Sequence, residues 1–148
     1  MKKKHILITI TILWTLFIFT QSLLPGDISS DQSGFIVDVL YPLVNKMGFT
    51  IQVNDFSFLI RKLAHFTEYF ILGLLLCILY IETIKPTKPW LIVIIHGTIT
   101  ASVDETIQLF TPNRSGEIRD VLIDLSGVII GMILTQLWIK RIRNHRSK

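Results

Sequence analysis

The chain has 148 residues and a formal charge of +4; half of its residues are hydrophobic and only 18% are charged, giving a mean hydropathy of +0.54. A soluble domain of this length carries about 25% charged residues and interrupts its apolar runs more often, so the composition argues against an ordinary soluble domain and makes membrane the first class to test. The single cysteine, Cys77, excludes an intramolecular disulfide and sits inside an apolar block, as a small packing residue would.

A helix needs ~20 apolar residues to cross a bilayer core. Four segments meet that length, at about 6–24, 63–82, 90–110 and 119–139. The first follows KKKH and resembles a secretory signal. It is longer than an h-region and no A-x-A-like cleavage site follows it, so it reads as a retained span ended by Leu24-Pro25-Gly26. The stretch 25–58 is an outer loop with structure of its own. In it Ser29, Ser30 and Asp31 suit a helix cap, ahead of Phe35, Ile36, Val39, Leu40, Leu43, Val44 and Met47 at helical spacing, with Asp38 and Lys46 facing water. Pro42 is expected to kink or divide that helix, which reads as an amphipathic or re-entrant segment at the outer surface. Lys85-Pro86 ends the second span and Thr111-Pro112-Asn113 the third. Trp14, Trp90 and Trp138 flank spans, the last two fitting an inner aromatic belt. The chain is therefore expected to be a single all-α transmembrane domain without repeats.

Charge orients it. Four spans place both termini and the 83–89 connection on one side, where ten basic residues meet one acid, Glu82. The other side carries five basic residues and ten acids, so the sides hold +9 and −5. By the positive-inside rule both termini are cytoplasmic. The tail KRIRNHRSK then reads as a topology anchor touching anionic lipid, and no nucleic-acid role is expected.

The ionisable residues near lipid fall at one depth. On the second span Arg61, His65, Glu68 and Tyr69 lie at i, i+4, i+7 and i+8, with Lys62 at the edge and Gly73 a turn deeper. On the third, Asp104 and Glu105 sit ~22 Å up from Pro89 at 1.5 Å per residue, with Gln108 a turn above Asp104 and Thr100 a turn below. The fourth begins with Asp120 and Asp124, continued by the GxxxG pair Gly127 and Gly131. The intervening loop TPNRSGEIRD adds Arg114 and Arg119. A charge at membrane depth costs ~2.5–3.5 kcal/mol on insertion scales, so these groups are expected to converge on partners inside the protein. Two readings are open: a functional site, or a buried ion-pair network fixing helix register. His65 is either a proton-handling or ligand residue or a hydrogen-bonded core histidine. His96, alone in the inner half, is expected to pair with a neighbour's hydroxyl. No compact metal motif such as H-E-x-x-H occurs, so no metal and no cofactor is expected.

RKLAHFTEYFILG followed by SVDETIQLFTPNRSGEIRDVLIDLSGVIIG resembles the VanZ-like family of small bacterial membrane proteins. The family pattern falls on Lys62, His65, Tyr69, Leu72 and Gly73, then on Asp104, Glu105, Gln108, Phe110, Arg114 and Gly116. It ends on Asp120, Asp124, Gly127 and Gly131. The long apolar outer loop departs from it. The family is named for an accessory protein of glycopeptide resistance, so the resemblance implies a role in the bacterial cell envelope and lowered susceptibility to teicoplanin and lipoglycopeptides.

Two function classes follow. In the first, the outward cavity binds an anionic envelope lipid, cell-wall precursor or teichoic-acid-like polymer, with Arg61, Lys62 and Arg114 on its phosphates and the acids positioning them. In the second, an intramembrane enzyme acts on a lipid-linked phosphate or glycosyl substrate. There His65 is the general acid or base, Asp104 or Glu105 its partner and Arg114 the charge stabiliser. Four short spans without a repeat argue against a transporter.

Overall fold

The computed structural model describes residues 2–84 and 87–146, and all regular structure within them is helical: α1 (Lys2–Ser22), α2 (Gly26–Lys46), α3 (Val53–Thr83), α4 (Pro89–Leu109) and α5 (Ile118–Arg146). Four of these, α1, α3, α4 and α5, are long and apolar enough to cross a membrane. Lys85, Pro86 and Lys148, which entered the sequence reading, lie outside the described residues.

The spans occupy the predicted positions with shifted ends. The helix of the second span starts at Val53, well before residue 63, and the fourth runs past residue 139 to Arg146. At the start of α3 further apolar residues, Phe56, Phe58, Leu59 and Ile60, carry the helix past Arg61 and Lys62, and at the end of α5 the basic residues Lys140, Arg141 and Arg143, good helix formers, continue it. The terminal end of the bundle holds the start of α1 beside the end of α3, where Lys3 Nζ lies 3.4 Å from Glu82 Oε1. The opposite, polar end holds α2 and the α4–α5 loop.

Helix α2 corrects two expectations. It begins at Gly26, not after Asp31, and no side chain caps it; Gly26 N–H instead donates to Pro112 O at 3.0 Å. A Cβ at Gly26 would collide with the Asn113 carbonyl, so the loop between α4 and α5 seats directly on this helix start. Pro42 does not divide the helix. Most of the apolar stripe read from the sequence faces away from the protein, with Phe35, Val39, Leu43 and Met47 exposed, while its Val44 packs inward. The packed face is Ser33, Val37, Tyr41 and Val44, set against Phe56, Ile60 and Ile51. An apolar surface facing outward is stable where lipid is the solvent, because lipid is as apolar as the side chains.

The bundle is built around α3 and α5. These helices run in the same direction, so that residues 62, 66, 70 and 77 of one meet 120, 127, 131 and 132 of the other. Cβ atoms at Gly127 and Gly131 would strike the carbonyl oxygens of Phe66 and Phe70, and one at Gly73 the backbone of Val128. The GxxxG stripe thus brings backbone against backbone, as small residues do in membrane helix pairs. Leu72, Leu76, Cys77, Val93, Ala101, Val128 and Ile18 form the buried core around this seam. Trp14 lies mid-helix, not at a span end, and donates its indole N–H to Glu68 O at 2.9 Å, tying α1 to α3.

Candidate functional site

The seam dictates what meets at the polar end. Lys62 Nζ donates to Asp120 Oδ1 in an ion pair largely shielded from solvent. One turn further into the bundle His65 Nδ1 stands 4.0 Å from Asp104 Oδ2, too far for a hydrogen bond. Below it Tyr69, Asp104 and Asp124 are all fully buried. Among the described residues no hydrogen-bond partner serves His65 Nδ1, Tyr69 OH, Asp104 Oδ1 or either oxygen of Asp124.

Above this buried tier two cavities open. One of about 200 Å³ lies between α1, α2 and α3 and is lined by Gln21, Ile36, Arg61, His65, Glu68 and Arg114, among others. The second, about 100 Å³, is lined by Arg61, Lys62, His65, Gln108, Arg114 and Asp120 with the loop residues Asn113 and Ser115. A larger groove of about 840 Å³ at the terminal end, between Ile81, Pro89 and Ile139, gathers none of these buried polar groups. Chemistry, not size, marks the site.

The eleven residues singled out in the sequence therefore occupy one end of one bundle, in two tiers. Arg61, Lys62, His65, Glu68, Gln108, Arg114 and Asp120 line the cavities. Tyr69, Asp104, Glu105 and Asp124 lie beneath or behind them. Arg119, placed in the same layer by sequence, is exposed and lines neither cavity.

Arg114 has a role the sequence did not reveal. Its Nη2 donates to Gln21 O in the last turn of α1 at 3.0 Å and its Nε to Leu24 O just beyond that helix at 3.2 Å. Two of the five guanidinium donors are thus engaged by protein. Burial pushes its pKa down, an effect opposed by the nearby Asp104 charge, and an arginine stays protonated regardless. Arg61 has no such anchor and makes no salt bridge among the described residues.

The walls are held by polar links between elements. Gln108 Nε2 donates to Glu105 Oε1 at 3.2 Å and reaches Ser22 Oγ at 3.4 Å, joining α4 to α1. Glu105 Oε2 accepts Glu117 N–H at 2.8 Å, and Thr111 Oγ1 donates to Ser22 O at 3.0 Å. Asn113 adopts a left-handed backbone (φ 55°), which asparagine tolerates, and donates from Nδ2 to Asp27 Oδ2 at 2.9 Å. In the sequence Asn113 figures only as the end of a span, and Asp27 does not figure at all. Their only signal was the Pro-Gly and Pro-Asn punctuation, which marks turns without saying that the turns meet.

The VanZ/LLP1 family model matches residues 7–139 of the chain. No curated protein sequence and no solved structure matches it.

Proposed function

The chain belongs to the VanZ/LLP1 family, and from that premise we propose that it is a multi-pass protein of the bacterial cell membrane whose polar end faces outward and binds an anionic envelope ligand. The ligand class is the phosphate-bearing head group of an envelope lipid, cell-wall precursor or teichoic-acid-like polymer. The observation that carries this reading is Arg61, which lines both cavities without a salt-bridge partner among the described residues, beside the partly engaged Arg114. A guanidinium with free donors matches phosphate bidentately. The excess of basic residues at the terminal end supports cytoplasmic termini, which turns the cavities outward. A lipoglycopeptide arriving from outside then meets fewer free sites or an altered surface polymer, and susceptibility to teicoplanin-type antibiotics falls.

Purified protein titrated with labelled envelope lipids and polymer fragments tests this. Saturable binding without product, weakened at least tenfold by Arg61→Ala, is the expected result; the same affinity in the variant would remove Arg61 from the site. A second reading, an intramembrane enzyme, is favoured by one arrangement: the His65 ring lines the cavities with Asp104 behind it. Turnover of the labelled lipid, lost in His65→Gln, would select that reading instead.

A further inference from the structure

Three helices each deliver one ligand atom to a single point. His65 from α3, Asp104 from α4 and Asp124 from α5 present an imidazole nitrogen and two carboxylate oxygens within 4.8 Å of one another. Both carboxylates are fully buried, and His65 Nδ1, Asp104 Oδ1 and both oxygens of Asp124 lack hydrogen-bond partners among the described residues. The equally buried Tyr69 hydroxyl, one helical turn from His65, lacks one too. Native proteins seldom leave one such atom unpaired, and here five share one place.

A register-fixing ion-pair network does not describe this cluster. Such a network satisfies its members, whereas here Lys62 pairs with Asp120, Arg114 is held by the carbonyls of Gln21 and Leu24, and Arg61 lines the cavities above without a salt bridge to Asp104 or Asp124. Two carboxylates facing each other in a dry interior also repel, and an added positive charge between them removes that cost. We propose that His65, Asp104 and Asp124 bind one divalent first-row cation, Mn²⁺ or Zn²⁺, with the Tyr69 hydroxyl beside it.

The donor set selects the class of ion. An imidazole nitrogen argues against Mg²⁺ and Ca²⁺, which take oxygen ligands, and the absence of a thiolate argues against soft Cu(I). Cys77, on the same helix, lies deeper with its Sγ 3.8 Å from Met132 O. Mixed nitrogen and carboxylate ligation suits Mn²⁺ or Zn²⁺. Three protein ligands leave a coordination position open, the pattern of sites that bind a further molecule on the metal. His65 lines both cavities, which gives an entry path from the polar end.

A cation here requires no anionic ligand above it, so metal alone serves as the probe. Full-length protein without a polyhistidine tag is stripped with EDTA in detergent, then titrated with Mn²⁺ and Zn²⁺ separately and followed by metal analysis after desalting and by thermal melting. Uptake of about one equivalent with a raised Tm is expected, together with at least ~10-fold weaker binding in Asp124→Asn and His65→Gln. No uptake by monodisperse wild-type protein would overturn the site. So would full uptake by both variants, which would place the ion elsewhere, for instance at His5 or His145 near the termini. Should Asp124→Asn fail to fold, His65→Gln decides alone, since its partly exposed ring can be replaced without opening the seam. Binding of Ca²⁺ in preference to Mn²⁺ and Zn²⁺, indifferent to His65→Gln, would refute the imidazole's part.

Discussion

Two histidines face the inside of this bundle at different depths, and they are treated differently. His96 on α4 meets Tyr80 on α3, its Nδ1 2.7 Å from the tyrosine hydroxyl, and the pair satisfies itself as the sequence led one to expect. His65, nearer the polar end, stands beside two buried carboxylates and a buried tyrosine hydroxyl that have no partners among the described residues. The same fold, with the same residue types available, closes one hydrogen bond and leaves five atoms open. The difference is not one of packing quality, because Tyr69, Leu72 and Val128 around the open layer are completely buried. It teaches that the open layer is held in place for something added to it, and that stability and function can be separated here by mutation.

The largest effect comes from removing what holds both layers. Gly131 lies against the Phe70 carbonyl, so Gly131→Leu forces α3 and α5 apart and destroys the His65 layer and the core beneath it together. A cost of about 3 kcal/mol or more is expected, the upper end of overpacking, and membrane abundance should collapse. Gly34, with no atom near its would-be Cβ, provides the control: Gly34→Ala should leave abundance unchanged. Immunoblots of membrane fractions read both, and a tolerated Gly131→Leu would show that the seam is not what positions the layers.

Next in size is the ion pair that closes the polar end. Lys62 and Asp120 are paired with side chains 19% and 11% exposed, and Lys62→Met leaves a shielded carboxylate alone. Breaking such a pair costs about 3 kcal/mol, the low end for buried pairs because some solvent reaches it. The double variant Lys62→Met with Asp120→Leu should recover most of the loss, since two apolar side chains replace two charges. Thermal melts in detergent measure this. If the single and double variants fell equally, Lys62 would belong with the ligand-facing groups and not with the scaffold.

Asp124→Asn moves stability the other way. In metal-stripped protein, Asp124 has no partner to lose, and the amide keeps its shape while removing the capacity to carry a charge in a dry site. The expected change lies between zero and about +2 kcal/mol, as unpaired buried charges are costly. Wild type should regain the difference on adding cation, by roughly 2.7 kcal/mol at a hundredfold excess over Kd. A melt lowered by the substitution in stripped protein would mean that Asp124 serves the scaffold.

These contrasts also explain what the sequence could and could not tell. Spans follow from apolar length, so α1, α3, α4 and α5 were readable, and so was the common depth of Arg61, His65, Asp104 and Asp120, which follows from helical rise. The fate of the α2 stripe was not readable, because Phe35 and Val39 show the same periodicity whether they face a core or lipid. Helix ends shifted because Val53 and Arg146 continue helices beyond the apolar runs that marked them. The three ligand atoms were hidden for another reason. His65, Asp104 and Asp124 come from three helices, and a motif search sees only neighbours along the chain. What brings them together is the glycine seam, a packing feature that carries no chemistry of its own.

The smallest effect is the sharpest comparison, because it uses one substitution at two places. Tyr80→Phe keeps the ring packed against the core but deletes the hydroxyl that meets His96. One intramolecular hydrogen bond is lost and His96 Nδ1 is left without its partner, so a cost of about 1 kcal/mol is expected. Tyr69→Phe deletes a hydroxyl that is more deeply buried and has no partner among the described residues. There no bond is broken and one desolvated polar group is relieved, so stripped protein should melt at or slightly above the wild-type temperature. The order runs against burial, which alone would make the deeper tyrosine the costlier one to change. Melting the two variants side by side in EDTA reads the difference directly. With cation present the order should narrow or invert, since Tyr69 then has a neighbour to lose while Tyr80 sits in a layer the ion does not touch. Equal losses in EDTA would mean that the Tyr69 hydroxyl is satisfied within the protein, and the two histidine layers would no longer differ in kind.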